Sequence, residues 1–187
     1  MLKYPADEIC DHIDFLFKNL QLSRSVLPYI TDSMVGKREI PTPGYYRDAG
    51  YSAKIILDEP LTIERIRKIN VASDSVNQGF IVRLQAYLNS CGVYDSIKKN
   101  IEGNEEIDIL RRLRHLFAHE SGERDQEENE HNILYERIIK TFKLKKEEYP
   151  LKEEQFPIPI DAVIEPLIEK CKKYIIELDK VVWFKIL

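Results

Sequence analysis

The sequence predicts an all-α protein. Apolar residues recur at three- and four-residue intervals along several stretches, as the buried stripe of a helix requires. Residues that start helices stand at the head of the clearest of these, and prolines and glycines cluster between them. With 187 residues, the chain is long enough for one domain with its own core and an extension.

The first helix follows Pro5 and is expected to reach about Gln21, with Ile9, Ile13, Leu16, Phe17 and Leu20 on one face. From Pro28 to Pro60 the helical signal fades. The segment IPTPGYYRDAGYS reads as a long loop, and a short strand at Ala53–Leu57 has no evident partner. Thr62 then caps a strong pattern that ends near Cys91 and Gly92. Its middle, NVASDSVNQG, is poor in helix formers. One long helix is expected there, against two joined by a kink.

Asn104, Glu105 and Glu106 place a cap and two acids at the positive end of the next helix, whose inner face carries Ile107, Leu110, Leu113 and Phe117. Gly122 is expected to close this segment. A further helix should bury Ile133, Leu134, Ile138, Ile139 and Phe142, with His131 near its start. The last runs from about Asp161 to Asp179, where Pro166 marks a kink or the true beginning. The ending VVWFKIL is apolar enough to pack on the core or on a second subunit.

Composition narrows the classes of function. Apolar residues make up 43% and charged residues 32%, the balance of a soluble globular chain. No segment approaches the roughly 18 uninterrupted apolar residues of a membrane span. Acidic residues stand where an export signal would be basic, so a cytoplasmic protein is expected. Cys10, Cys91 and Cys171 are odd in number and far apart, which suits buried thiols rather than a disulfide or zinc framework. A net charge of −4 argues against a protein that coats nucleic acid, but leaves room for one local basic site.

The chemistry is concentrated in LRRLRHLFAHESGERD, Leu110 to Asp125. On an ideal helix Arg114 falls between Ile107 and Leu110, within the apolar face. A guanidinium there must snorkel outward or meet an anion. His115 and His119 stand four residues apart on one flank. One permanent cation and two imidazoles suit phosphoryl chemistry on RNA. An imidazole can take the proton of a 2′-hydroxyl or protonate the leaving 5′-oxygen, while a guanidinium holds charge building on the phosphate. Arg111 and Arg112 either extend this phosphate-binding patch or form a solvated face. A structural alternative pairs Arg114 with Glu106, Glu120 or the acidic loop and leaves His119 as a helix cap.

R-H-L-F-A-H, Arg114 to His119, resembles the R-x4-6-H motif of HEPN domains, in which a polar residue follows the arginine; His115 fills that place. The resemblance covers about residues 61–187, leaving 1–60 as an N-terminal extension. It implies a HEPN-type bundle of four to five helices that forms a homodimer, with two motifs facing one cleft. It further implies metal-independent endoribonuclease activity that leaves a 2′,3′-cyclic phosphate, often in toxins paired with an antitoxin or in defence systems. Carried over, His119 is the acid/base, Arg114 the phosphate and transition-state ligand, and His115 the residue that orients or assists them. Arg114 and His119 point about 140° apart on one ideal helix. Either the helix unwinds near Ala118 or the partners meet across a two-fold axis.

No metal or other cofactor is expected. His115 and His119 have the spacing of a zinc helix, with Glu120, Glu123, Asp125 or His131 as further donors, but Leu-Phe-Ala follows His115 where H-E-x-x-H requires Glu. The expected partner is RNA, not DNA or a membrane. Tyr45, Tyr46 and Tyr51 could stack on bases, though loop tyrosines more commonly pack on a core. The competing function is a non-catalytic HEPN dimer scaffold that binds RNA, a nucleotide or a protein.

Overall fold

The computed structural model describes residues 2–41, 54–96, 100–118, 124–151, 156 and 158–183; for 96, 124–129, 182 and 183 it describes the backbone only. The elements run α1 (Ala6–Val26), β1 (Glu39–Pro41), β2 (Lys54–Ile56), α2 (Ile63–Ser90), α3 (Asn104–Ala118), α4 (Arg124–Thr141) and α5 (Glu165–Trp183). The chain is mainly helical. None of the described helices is long and apolar enough to cross a membrane. Contacts divide it into two compact units, Met1–Asp14 with Gln78–Leu187 and Phe15–Asn77, and both α1 and α2 contribute residues to each.

The smaller unit is organised by a reversal of the chain after α1. Ile30, Ile40, Leu61 and Ile66 are buried together, with Met34, Ile55, Leu57 and Ile69 packed around them. The strand expected near Ala53–Leu57 does form, as β2, and its antiparallel partner is β1, with Ile40 opposite Ile55. Gly36 turns with φ +83° and donates to the Leu61 carbonyl at 2.9 Å. That left-handed conformation favours glycine.

In the same unit, the Thr62 hydroxyl accepts the Arg65 amide at 3.2 Å and caps α2. The helix then continues unbroken for 28 residues. The buried face of its middle is polar, and there Asn70 and Ser73 bond to the chain reversal after α1. The Asn70 amide both accepts from the Ile30 N–H and donates to the Ile30 carbonyl, at 2.8 Å each. Ser73 Oγ donates to the carbonyls of Leu27 and Pro28 at 2.8 and 3.1 Å. Arg24, in the last turn of α1, is buried and donates to the Leu27 carbonyl at 2.9 Å. Helix α1 runs past Gln21 to Val26, and the carbonyls of Leu27, Pro28 and Ile30 that follow it find side-chain partners.

The larger unit holds the apolar core. Phe80, Ile81, Leu84 and Leu88 of α2 are buried, as are Ile107, Ile109, Leu110 and Leu113 of α3 and Leu167, Cys171, Tyr174, Ile175 and Leu178 of α5. Helix α3 packs on both α4 and α5. Gly103, immediately before α3, has φ +92°, and a Cβ there would lie 2.5 Å from the Lys170 carbonyl oxygen, so glycine is what lets α3 start against α5. All three cysteines are buried free thiols, as expected.

The inner face and the start of α4 differ from expectation. Ile133, expected inward, is 50% exposed on α4, where Leu134, Tyr135, Ile138 and Ile139 face in. Helix α4 begins at Arg124, which puts His131 within the helix rather than at its start. Pro166 is the second residue of α5, which follows a π-helical turn, Ile160–Ile164, without a break; the change from π- to α-helix falls where the proline has no N–H to donate.

Candidate active site on helix α3

Helix α3 begins at Asn104 and carries Glu105 and Glu106 in its first turn, as its sequence requires. The far end is anchored by aromatic packing. Phe117 meets Phe156 edge-on with ring centroids 6.5 Å apart, and Phe156 meets Tyr135 of α4 in the same way at 6.5 Å. The Tyr135 hydroxyl donates to the Tyr149 carbonyl at 2.9 Å. These contacts fix the segment that carries Arg114 and His115.

Arg114 is half-buried and His115 exposed. Among the described residues Arg114 takes part in no ion pair or hydrogen bond, so the proposed bridge to Glu106 is not made. His119, Glu120, Gly122 and Glu123 lie outside the described residues, as do Tyr45, Tyr46 and Tyr51; the side chain of Asp125 does too.

The exposed flank of α3 carries an organised charge cluster. Asp108 Oδ1 accepts from Arg111 Nη2 at 2.9 Å, and Oδ2 accepts from Arg112 Nε at 3.1 Å. Arg137 reaches across from α4. Its Nη1 donates to Asp108 Oδ2 at 2.9 Å, and its Nε and Nη2 donate to Glu105 Oε1 at 2.9 and 2.7 Å. Partial burial opposes the charge on Asp108. The hydrogen bonds and positive charge of Arg137 and Arg112 outweigh it and hold the carboxyl below its ordinary value. Arg137 is held above its ordinary value, because the bonds to Glu105 and Asp108 outweigh its own desolvation. The Tyr94 hydroxyl is buried with no hydrogen-bond partner among the described residues. Its phenol is held well above the usual range, chiefly by burial, and it lies within the fields of Arg111 and Asp108.

The structure thus brings Arg111, Arg112 and His115 onto one flank of α3, since residues three, four and seven after Asp108 share a face. Arg114 projects about 120° away from it. Asp108 and Arg137 were not anticipated as part of this cluster. The spacing of Asp108 before Arg111 and Arg112 is a local signal for ion pairing. Arg137 has no such signal, because only the packing of α4 on α3 brings it near.

Elsewhere in the same unit, Asp7, Asp11, Asp14 and Asp179 border an open groove of about 510 Å³ in which Lys172 pairs with Asp14 at 2.9 Å. Among the described residues no group of three or more histidine, cysteine or carboxylate side chains is placed to hold a metal ion. The chain matches no protein-family profile, no curated protein and no solved structure.

Proposed function

We propose that this chain is a HEPN-type, metal-independent endoribonuclease that acts in the cytoplasm as a homodimer. In this reading His119 moves the proton at the 2′-hydroxyl or the leaving 5′-oxygen. Arg114 stabilises the charge on the phosphate, His115 orients or assists, and Arg111 and Arg112 hold the RNA backbone. The products carry a 2′,3′-cyclic phosphate. A toxin or defence role, with an antitoxin partner, accompanies this chemistry in the family that the motif resembles.

The observation that supports the reading is the placement of R-H-L-F-A, Arg114 to Ala118. It closes an amphipathic helix whose last turns present one half-buried guanidinium engaged by no carboxylate among the described residues, and one exposed imidazole. Two further arginines stand one turn before that imidazole.

The test is to incubate the purified protein with mixed-sequence RNA in EDTA and analyse the new ends. Cuts bearing 2′,3′-cyclic phosphates are expected. Cleavage that EDTA abolishes, or ends bearing only 5′-phosphates, would overturn the mechanism.

A second reading is a non-catalytic dimer scaffold that binds RNA, a nucleotide or a protein. The net charge of −4 and the engagement of Arg111 and Arg112 by Asp108 favour it. RNA bound but left intact by excess protein is its expected outcome.

A further inference from the structure

We propose that Arg137 is the counter-charge that turns the Asp108–Arg111–Arg112 face of α3 into a phosphate-binding site for RNA. The inference rests on the ribonuclease reading for its ligand, and deepens it by adding a residue from another helix.

On α3 alone, Glu105 and Asp108 face Arg111 and Arg112: two carboxylates against two guanidiniums. Such a face is neutral, and a polyanion gains little from it. Arg137 adds the third guanidinium and leaves one net positive charge on the cluster.

Geometry separates the roles of the three arginines. Arg137 has 25% side-chain exposure and spends its donors inward, one on Asp108 and two on Glu105. It engages both acids at once. Arg111 and Arg112 have 56% and 47% side-chain exposure, and each gives one N–H to Asp108. Most of their donors remain directed away from that carboxylate, in the forked arrangement that matches phosphate oxygens. Asp108 holds both guanidiniums by one end, so less side-chain freedom is lost when a phosphate arrives. His115 follows Arg111 by four residues and Arg112 by three, one helical turn along the same flank. A phosphodiester held by the two arginines is thereby brought beside an imidazole. Arg137 is a positioning residue in this arrangement: it acts on the ligand through the charge of Glu105 and Asp108.

The experiment uses the full chain and a fluorescein-labelled 2′-O-methyl RNA, which cannot be cut through its 2′-oxygen. Binding is followed by anisotropy across a salt series. Arg137→Gln is expected to weaken binding about fivefold near 0.1 M salt and to lower the slope of log K against log salt by about 0.7. Arg137→Lys should bind within about twofold of the wild type. The decisive variant is Arg137→Gln combined with Glu105→Gln, which restores the net charge while leaving the ion pairs between Arg137 and α3 broken. Recovery of affinity and slope in the double variant supports the counter-charge role. A double variant that binds no better than the single one overturns it and leaves Arg137 as a purely structural clasp. Circular dichroism at the binding temperature establishes that each variant is folded.

If the wild type binds RNA and cuts unmodified RNA in EDTA, yet Arg137→Gln keeps the wild-type slope, the inference falls and the ribonuclease reading stands. If the wild type neither binds nor cuts RNA, both fall together.

Discussion

Helix α3 and the first half of α2 each bury one face, but they do so with different chemistry. On α3 the inner face is mostly carbon: Ile107, Ile109, Leu110 and Leu113 are fully buried, and Glu106 is the one charged residue buried with them. On α2 the residues in the equivalent role are Asn70, Ser73 and Asn77, flanked by Ile66 on one side and Phe80 on the other. The apolar face gains from area removed from water. The polar one avoids a penalty, because Asn70 and Ser73 satisfy backbone groups of the Leu27–Ile30 reversal that would otherwise be buried without partners. A helix can therefore be held in place by completing another segment's hydrogen bonds as well as by apolar packing, and different substitutions expose the two contributions.

The largest effect is expected on the apolar side. Leu110→Ala removes a fully buried side chain from the face that α3 presents to its core. It should cost about 2–5 kcal/mol in the urea unfolding free energy. A loss under about 1 kcal/mol would show that α3 is not packed as described.

A smaller loss is expected on the polar side, and its sign is the informative part. Asn70→Leu replaces a poor helix former with a good one, and a local view predicts a gain. The structure predicts a loss of about 1–3 kcal/mol, since the N–H and carbonyl of Ile30 lose their shared partner in a buried place. Greater stability in this variant would mean that the polar face contributes nothing beyond helix propensity.

The smallest effect belongs to the charge cluster and is sharpened by pH. The Asp108 carboxyl lies below its ordinary value in the folded protein, so its contribution is complete above the unfolded value of about 4 and is lost as pH falls through the folded one. Wild-type stability should exceed that of Asp108→Asn at neutral pH. The gap should close as acid protonates Asp108, when urea midpoints are measured from pH 7 downward. A gap that persists unchanged at the lowest pH where the protein stays folded would remove the ion-pair account.

The same contrast explains what could be read from the sequence. The start of α3 was legible because Asn104, Glu105 and Glu106 act locally and its apolar residues keep helical spacing. The unbroken α2 was expected, but the reason for its polar middle was not legible, since Asn70 and Ser73 serve backbone groups 40 or more residues earlier. Strand β1 escaped notice because three residues, Glu39–Pro41, offer no alternation to detect. At the candidate site, Arg111, Arg112, Arg114 and His115 were legible as one short segment. Arg137 was not, because its role depends on how α4 meets α3.

Single-turnover cleavage of a defined RNA in EDTA, by the wild type and by His119→Ala, tests the proposal that the R-H-L-F-A-H segment cuts RNA. The ribonuclease account predicts a rate lower by about two to four orders of magnitude in the variant, with helicity and oligomeric state unchanged. An unaltered rate in a folded His119→Ala protein would contradict it.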